Sequence, residues 1–199
     1  MEPPYARAVA YGSYEGGLRD LIHMLKYQQV RPAGNVLGRM LAEVLAELEP
    51  SFRDAKVLVI PVPLHRSKLR QRGFNQAEQV ARLALKLSPS RDRYLLCSDG
   101  LERVRETQSQ TGLTRHQRRE NLRGAFRVTH PEEISGREIL LADDVFTTGT
   151  TASECARILR RAGAARVWVA TVARTLKNDA QHVHLEPAAD TDMTMAAHG

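Results

Sequence analysis

Cysteine is almost absent: Cys97 and Cys155 are the only two in 199 residues. They lie far apart and outside any CxxC or Cys-His spacing, so neither a disulfide framework nor a zinc site is expected. Aromatic residues make up only 5% of the chain, which leaves few stacking platforms for single-stranded nucleic acid. No window approaches the roughly 18 apolar residues of a membrane span. The opening stretch MEPPYARAVAYG lacks the basic-then-apolar order of a secretion signal, and a cytoplasmic protein is expected by default. What is present is ordinary globular material, 42% hydrophobic and 26% charged, enough for one domain with its own core. The 29 Lys and Arg against 23 Asp and Glu give a net charge of +6. That excess favours anionic partners, phosphates or nucleic acid, without choosing between them.

Apolar periodicity predicts a short strand at 6–11 and a helix near 14–28 on Tyr14, Leu18, Leu21, Ile22 and Leu25. A second helix opens at Pro32 and ends before Pro50. The run KVLVIPV at 56–62 reads as a strand buried on both faces. It is followed by a basic, turn-like stretch from Leu64 to Gln76 and a helix on Ala77, Val80, Ala81, Ala84 and Leu87. Residues 93–97 suit another strand, while 101–123 is polar, rich in Arg and Gln, and expected to be a mobile loop. A strand at 137–142, a helix at 151–162 closed by Gly163, and a strand at 166–173 complete a strand-helix-strand repeat. Such a repeat implies right-handed crossovers in a mostly parallel sheet. The expected organisation is a single domain over 1–176, its first part (about 5–50) helical, with a disordered tail at 177–199.

The segment ILLADDVFTTGTT (139–151) carries the chemistry. Its apolar strand delivers Asp143 and Asp144 at the end where parallel sheets keep their ligand crevices. Thr147, Thr148, Gly149, Thr150 and Thr151 then lead into a helix, offering hydroxyls and backbone N–H groups beside the positive end of the helix dipole. Gly149 allows a tight turn and close backbone approach. Two carboxylates would repel a phosphate, so they suit hydroxyl donors such as ribose 2′- and 3′-OH, or a bridging cation. The plainer alternative is a strand end followed by a capped helix. Capping needs one hydroxyl, whereas this turn has two acids, four threonines and a glycine.

These thirteen residues resemble the phosphoribosyl pyrophosphate (PRPP) signature of type I phosphoribosyltransferases. The segments PVPLHRSKLRQRGFNQAEQVA (61–81), RVRETQSQTGLTRHQRRENLRGAF (103–126) and YEGGLRDLIHMLKY (14–27) are similar to blocks of ComF proteins within that superfamily. The similarity runs from about Tyr11 to Arg174. It implies a Rossmann-like α/β fold, a mostly parallel sheet flanked by helices, with a small N-terminal hood. By the resemblance Asp143 and Asp144 hold the ribose hydroxyls, and Val145, Phe146 and Thr147 to Thr151 complete the PRPP site and wrap the 5′-phosphate. The four-cysteine zinc module that begins many ComF proteins is missing, so no zinc is expected.

The stretch after Val62 carries His65, Arg66, Lys68, Arg70 and Arg72 with no acid, a positive loop suited to polyphosphate. By the resemblance Leu64, His65, Arg66, Lys68 and Arg72 form the pyrophosphate loop. Residues 103–123 hold six arginines and match the catalytic flexible loop, with Arg103 and Arg105 as catalytic candidates; His116 is a weaker one. The implied reaction is displacement of pyrophosphate at ribose C1′, with Mg²⁺ arriving on PRPP rather than on a protein metal site. The acceptor has no code in the spacing. The resemblance also links the chain to DNA uptake, making single-stranded DNA, competence proteins and a second copy in a homodimer candidate partners. A non-catalytic accessory or PRPP sensor is the alternative to an enzyme, since each retains the same signature.

Overall fold

A computed structural model of the chain describes residues 3–28, 30–53, 56–107 and 114–175. The expected tail at 177–199 and the centre of the 101–123 loop lie outside them. In chain order the elements are β1 (Arg7–Ser13), α1 (Gly16–Gln28), α2 (Arg31–Leu48), β2 (Val57–Pro61), α3 (Arg66–Arg72), α4 (Gln76–Leu87) and β3 (Tyr94–Leu96). They continue as β4 (Leu101–Arg103), α5 (Arg115–Leu122), β5 (Phe126–Val128), α6 (Pro131–Ile134), β6 (Glu138–Phe146), α7 (Thr150–Arg161) and β7 (Arg166–Arg174). The main sheet has the order β1-β7-β6-β2-β3, and every pairing in it is parallel. β4 and β5 form a separate antiparallel ribbon.

Alternation along the strands divides the core in two. Val57, Val59, Leu140, Ala142, Trp168 and Ala170 face a layer made by α1, α2 and α4. Leu58, Ile60, Ile139, Leu141, Val167 and Val169 face α7 and the ribbon. In α2, Leu37, Leu41, Leu45 and Leu48 recur at helical spacing and are all fully buried, each worth roughly 1.5–3 kcal/mol of apolar burial. Gly38 lets α2 approach α4 closely, since a Cβ there would come within 2.7 Å of Leu83 Cβ. The 5–50 stretch is therefore built into the domain, with β1 as a sheet edge and α2 as a covering layer. α1 reaches across to the acidic end of β6 through Lys26.

Three expectations need correction. The 64–76 stretch is not merely a basic turn: Arg66–Arg72 is the helix α3, started by His65, whose ring accepts from the Ser67 N–H, and stopped by Gly73 in the left-handed region at φ 83°. Its residues carry charge on every side, so no apolar period announced it, yet Arg, Lys, Leu and Gln all favour helix. The 101–123 stretch contains a strand and a helix, anchored by the buried Leu101 and Leu122. Third, β6 does not stop at Ala142. It continues through both acids to Phe146, with Asp143 opposite Thr171 and Phe146 opposite Arg174 on β7.

Candidate active site at the carboxyl end of the sheet

Because Asp143 and Asp144 are consecutive strand residues, they leave β6 on opposite faces. Asp143 follows Ile139 and Leu141 towards α7. It lines a cavity of about 20 Å³, room for one water molecule, together with Thr147, Gly149, Thr151 and Thr171. Its Oδ1 accepts from the Asp144 backbone N–H at 2.9 Å. Burial, and then the neighbouring Asp144 carboxylate, push its carboxyl well above the usual range. Asp144 follows Leu140 and Ala142 to the other face, where its side chain is 6% exposed and Lys26 Nζ of α1 stands 2.5 Å from Oδ2. Burial opposes the charge on Lys26, but the attraction of Asp144 outweighs it and leaves the amine above its ordinary value.

The raised Asp143 carboxyl has a consequence for stability. Well below its ordinary value of 3.8, the group is protonated folded or unfolded. As the pH rises from there, the unfolded chain ionises while the folded one keeps its proton, so stability falls until the folded value is passed. Asp143→Asn should therefore melt higher than wild type at pH 7. The gap should close as the pH approaches 4, and thermal melts across pH 4–8 check both halves.

Beyond β6 the chain turns on Thr147 and Thr148, both exposed, and the Thr148 and Thr150 hydroxyls lie 2.8 Å apart. Gly149 is the N-cap of α7 at φ 71° and supplies no side-chain cap, so the opening turn of a 12-residue helix faces the pocket without one. A Cβ at Gly149 would sit 2.5 Å from Phe146 Cζ. The glycine is thus required by its left-handed backbone and by the Phe146 ring, not only by approach to a ligand.

The basic loop meets this site from β2. Val62 N–H donates to Ala142 O at 2.8 Å, extending the β2-β6 pairing, and Leu64 and His65 then lead into α3. Asn75 caps α4 by accepting from the Ala77 N–H while its amide donates to Val62 O. Lys68 lies partly buried among cations: burial first, then Arg103 and Arg72, push its amine down, with Lys26 adding to the effect. Arg103 pairs with His65 through its backbone as an isolated parallel β-bridge, while its side chain stands 5.5 Å over the Phe126 ring and donates to Thr107 Oγ1. Its buried guanidinium is pushed down by desolvation, countered by Cys155 and Asp143. Lys26 and Arg103 thus act on the acidic pair, and Lys68 and Arg72 stand next to those two cations.

Other candidates stand elsewhere. Arg105 donates to the Asn121 and Arg123 carbonyls, both at 2.8 Å, tying the ends of the arginine-rich loop together. Arg66 is 77% exposed and paired with Glu102, while His116 is exposed on α5. Both cysteines are buried and free, and burial pushes the Cys97 thiol to about 11 and Cys155 higher still, so neither is a thiolate nucleophile near neutrality. Sequence reasoning missed Lys26 and Asn75. Lys26 follows Ile22 by four residues on the apolar stripe of α1, an inward charge that needs a partner. Asn75 is followed by Glu78 three positions on, the spacing of a capping box.

An all-parallel sheet with paired acids and a threonine-glycine turn leading into a helix at its carboxyl end defines a type I phosphoribosyltransferase fold. The chain matches the phosphoribosyl transferase domain over residues 71–192. It is 36% identical over 178 residues to DNA utilization protein YhgH of Escherichia coli O157:H7, covering 87% of this chain and 74% of that one. It is 32% identical over 179 residues to competence protein F of Haemophilus influenzae, covering 87% and 75%. Among solved structures, the allosteric regulatory enzyme of purine biosynthesis superposes with a TM-score of 0.40 at 21% identity, over 69% of this chain and 25% of that chain. The chain belongs to the ComF family of phosphoribosyltransferase-like proteins. No helix among the described residues is long and apolar enough to cross a membrane.

Proposed function

We propose that the protein binds PRPP with Mg²⁺ and transfers its phosphoribosyl group to an acceptor, releasing pyrophosphate. The observation that carries this reading is the join of β6 and α7. Asp143 and Asp144 lie among the last residues of the strand, which runs on to Phe146, and the helix then begins after Gly149, an N-cap in the left-handed region with no side-chain cap. Ribose hydroxyls would donate to the carboxylates, and the 5′-phosphate would take the amides and hydroxyls of the threonine turn. Lys68, Arg72 and Arg103 would face the pyrophosphate. In the reaction the bond from C1′ to the pyrophosphate oxygen breaks with its electron pair on the leaving group. The acceptor lone pair forms the new bond to C1′ and the acceptor sheds a proton. Charge grows on the leaving group, where each well-placed cation contributes roughly 3–4 kcal/mol.

Mg²⁺ enters as part of the substrate and neutralises the pyrophosphate oxygens. The carboxylates fit that role, since Asp144 already has Lys26 against it and Asp143 faces Thr and backbone groups. No cluster of three or more metal-ligating side chains occurs among the described residues.

Calorimetric titration with Mg·PRPP tests the binding step, and pyrophosphate release in the presence of nucleobases or amines tests transfer. Absence of binding would sink the proposal. A second reading, a PRPP-responsive accessory of DNA uptake, is favoured by the names of the relatives, DNA utilization protein and competence protein F. Tight PRPP binding with no acceptor that triggers release would select it.

Glu102 accepts from both Arg66, at 2.8 Å, and Arg127, at 2.7 Å, and Ser67 donates to Glu106 at 2.8 Å. These contacts tether α3 to the β4-β5 ribbon and occupy an arginine of the basic loop. Glu102→Gln is expected to leave the melting temperature unchanged, because exposed pairs contribute little. It should tighten binding of Mg·pyrophosphate several-fold by freeing Arg66, as titration with that ligand would show.

A further inference from the structure

The two acids at the end of β6 are supported differently. Asp143 is braced by the Asp144 N–H and sits against the α7 turn, whereas Asp144 projects into the opposite face. Its ionic partner there is Lys26 of α1, the amine 19% and the carboxylate 6% exposed. That contact spans two layers of the fold. Tyr27, the next residue of α1, lies under the Arg72 guanidinium, 5.5 Å from its ring centre, so the last turn of α1 grips both the acidic strand end and the end of α3.

We infer that Lys26 is a positioning residue of the ribose site: from α1 it aims the Asp144 carboxylate at the sugar diol, and the arriving hydroxyls must share that carboxylate with its ammonium. The inference rests on the proposed ribose-phosphate reading. It extends that reading by making recognition of the diol, as distinct from the phosphate, depend on a residue outside both loops. A carboxylate on a buried strand face with no cation beside it would turn away or recruit water. With Lys26 in place its orientation is fixed before ligand arrives, and discrimination between a hydroxyl and a hydrogen follows from that fixed acceptor. Occupancy of the diol subsite must also be felt at the last turn of α1, because the same carboxylate bonds both the sugar hydroxyls and the Lys26 ammonium.

The test uses the full chain with ribose 5-phosphate and its 2-deoxy and 3-deoxy forms, titrated by calorimetry. Wild type should prefer ribose 5-phosphate by ~10-fold or more over at least one deoxy sugar, the scale of a hydrogen bond to a charged group. Lys26→Met should shrink that preference below about twofold while inorganic phosphate binds as in wild type, and Lys26→Arg should restore most of it. An undiminished preference in Lys26→Met would overturn the inference and leave the ribose-phosphate reading standing. Equal loss in Lys26→Arg would show that packing, not charge, is at stake, and overturn it as well. Failure of wild type to bind any of the three sugars would instead remove the underlying reading. A measurement without variants guards against misfolding of Lys26→Met. Hydrogen exchange in residues 22–28 of wild type should change on adding ribose 5-phosphate and stay constant with inorganic phosphate. No change with a bound sugar would also count against the role of Lys26.

Discussion

Replacing both acids by asparagine, Asp143→Asn with Asp144→Asn, is expected to weaken Mg·PRPP binding by at least about 100-fold while the chain stays folded. Each carboxylate that accepts a ribose hydroxyl contributes a hydrogen bond to a charged group, about 1.5–3 kcal/mol. Two together correspond to roughly two to four decades in dissociation constant. Asparagine is the informative replacement because it keeps the volume and an acceptor oxygen beside Lys26. Alanine at 144 would strand the ammonium, whose side chain is 19% exposed. Stranding a buried charge costs about 3–5 kcal/mol, so lost binding would be confounded with lost stability. Calorimetry with Mg·PRPP, beside circular dichroism of the same sample, decides the matter. A doubly substituted chain that binds like wild type would remove the acids from the site.

The second large effect is expected at Gly149. Alanine there must adopt φ 71°, unfavourable for an L-residue by roughly 1–2 kcal/mol, and its Cβ would meet the Phe146 ring at 2.5 to 3.2 Å. Phe146 packs edge-to-face with Tyr5 at 6.3 Å, so retreat of the ring disturbs a second contact. Gly149→Ala is expected to lower the melting temperature by several degrees and to weaken binding of ribose 5-phosphate at least ~10-fold, because the turn that presents the α7 amides must move. Combining it with Phe146→Leu should recover part of the stability, since the clash is relieved while the backbone penalty remains. Additive losses in the double variant would mean that the ring is not the obstacle.

The parallel sheet and the position of the acids were legible because the buried strands are apolar on both faces, and an apolar run followed by polar turn residues is hard to read otherwise. The length of β6 was not legible. Aspartate is a poor strand former, so periodicity ended the strand at Ala142, while pairing with β7 carries it to Phe146. That difference matters chemically. It sends the adjacent side chains off opposite sides of the strand, while the two carboxylates stay close enough to interact. α3 and α5 escaped because highly charged helices show no apolar stripe and are held by caps and tertiary tethers. The partner of Asp144 comes from residue 26, more than a hundred positions away, and no local pattern encodes such a distance. Only the inward placement of a lysine on α1 hinted that a buried anion existed.

The edge position of β1 has a consequence for how the molecule is made. Its strand partner is β7, with Arg7 opposite Trp168 and Ser13 opposite Arg174, so β1 must wait for a strand made much later before it can pair. Until then residues 7–13 present an unpaired strand, Tyr11 included, to whatever they meet. Docking of α1 waits as well, because the carboxylate that Lys26 reaches lies on β6. The sheet is closed by the pairing of β1 with β7, and the proposed ribose site needs α1 docked against β6. Truncation before residue 166 should therefore yield a chain lacking β1 pairing and a settled α1 together, a slow, long-range closure rather than a gradual one.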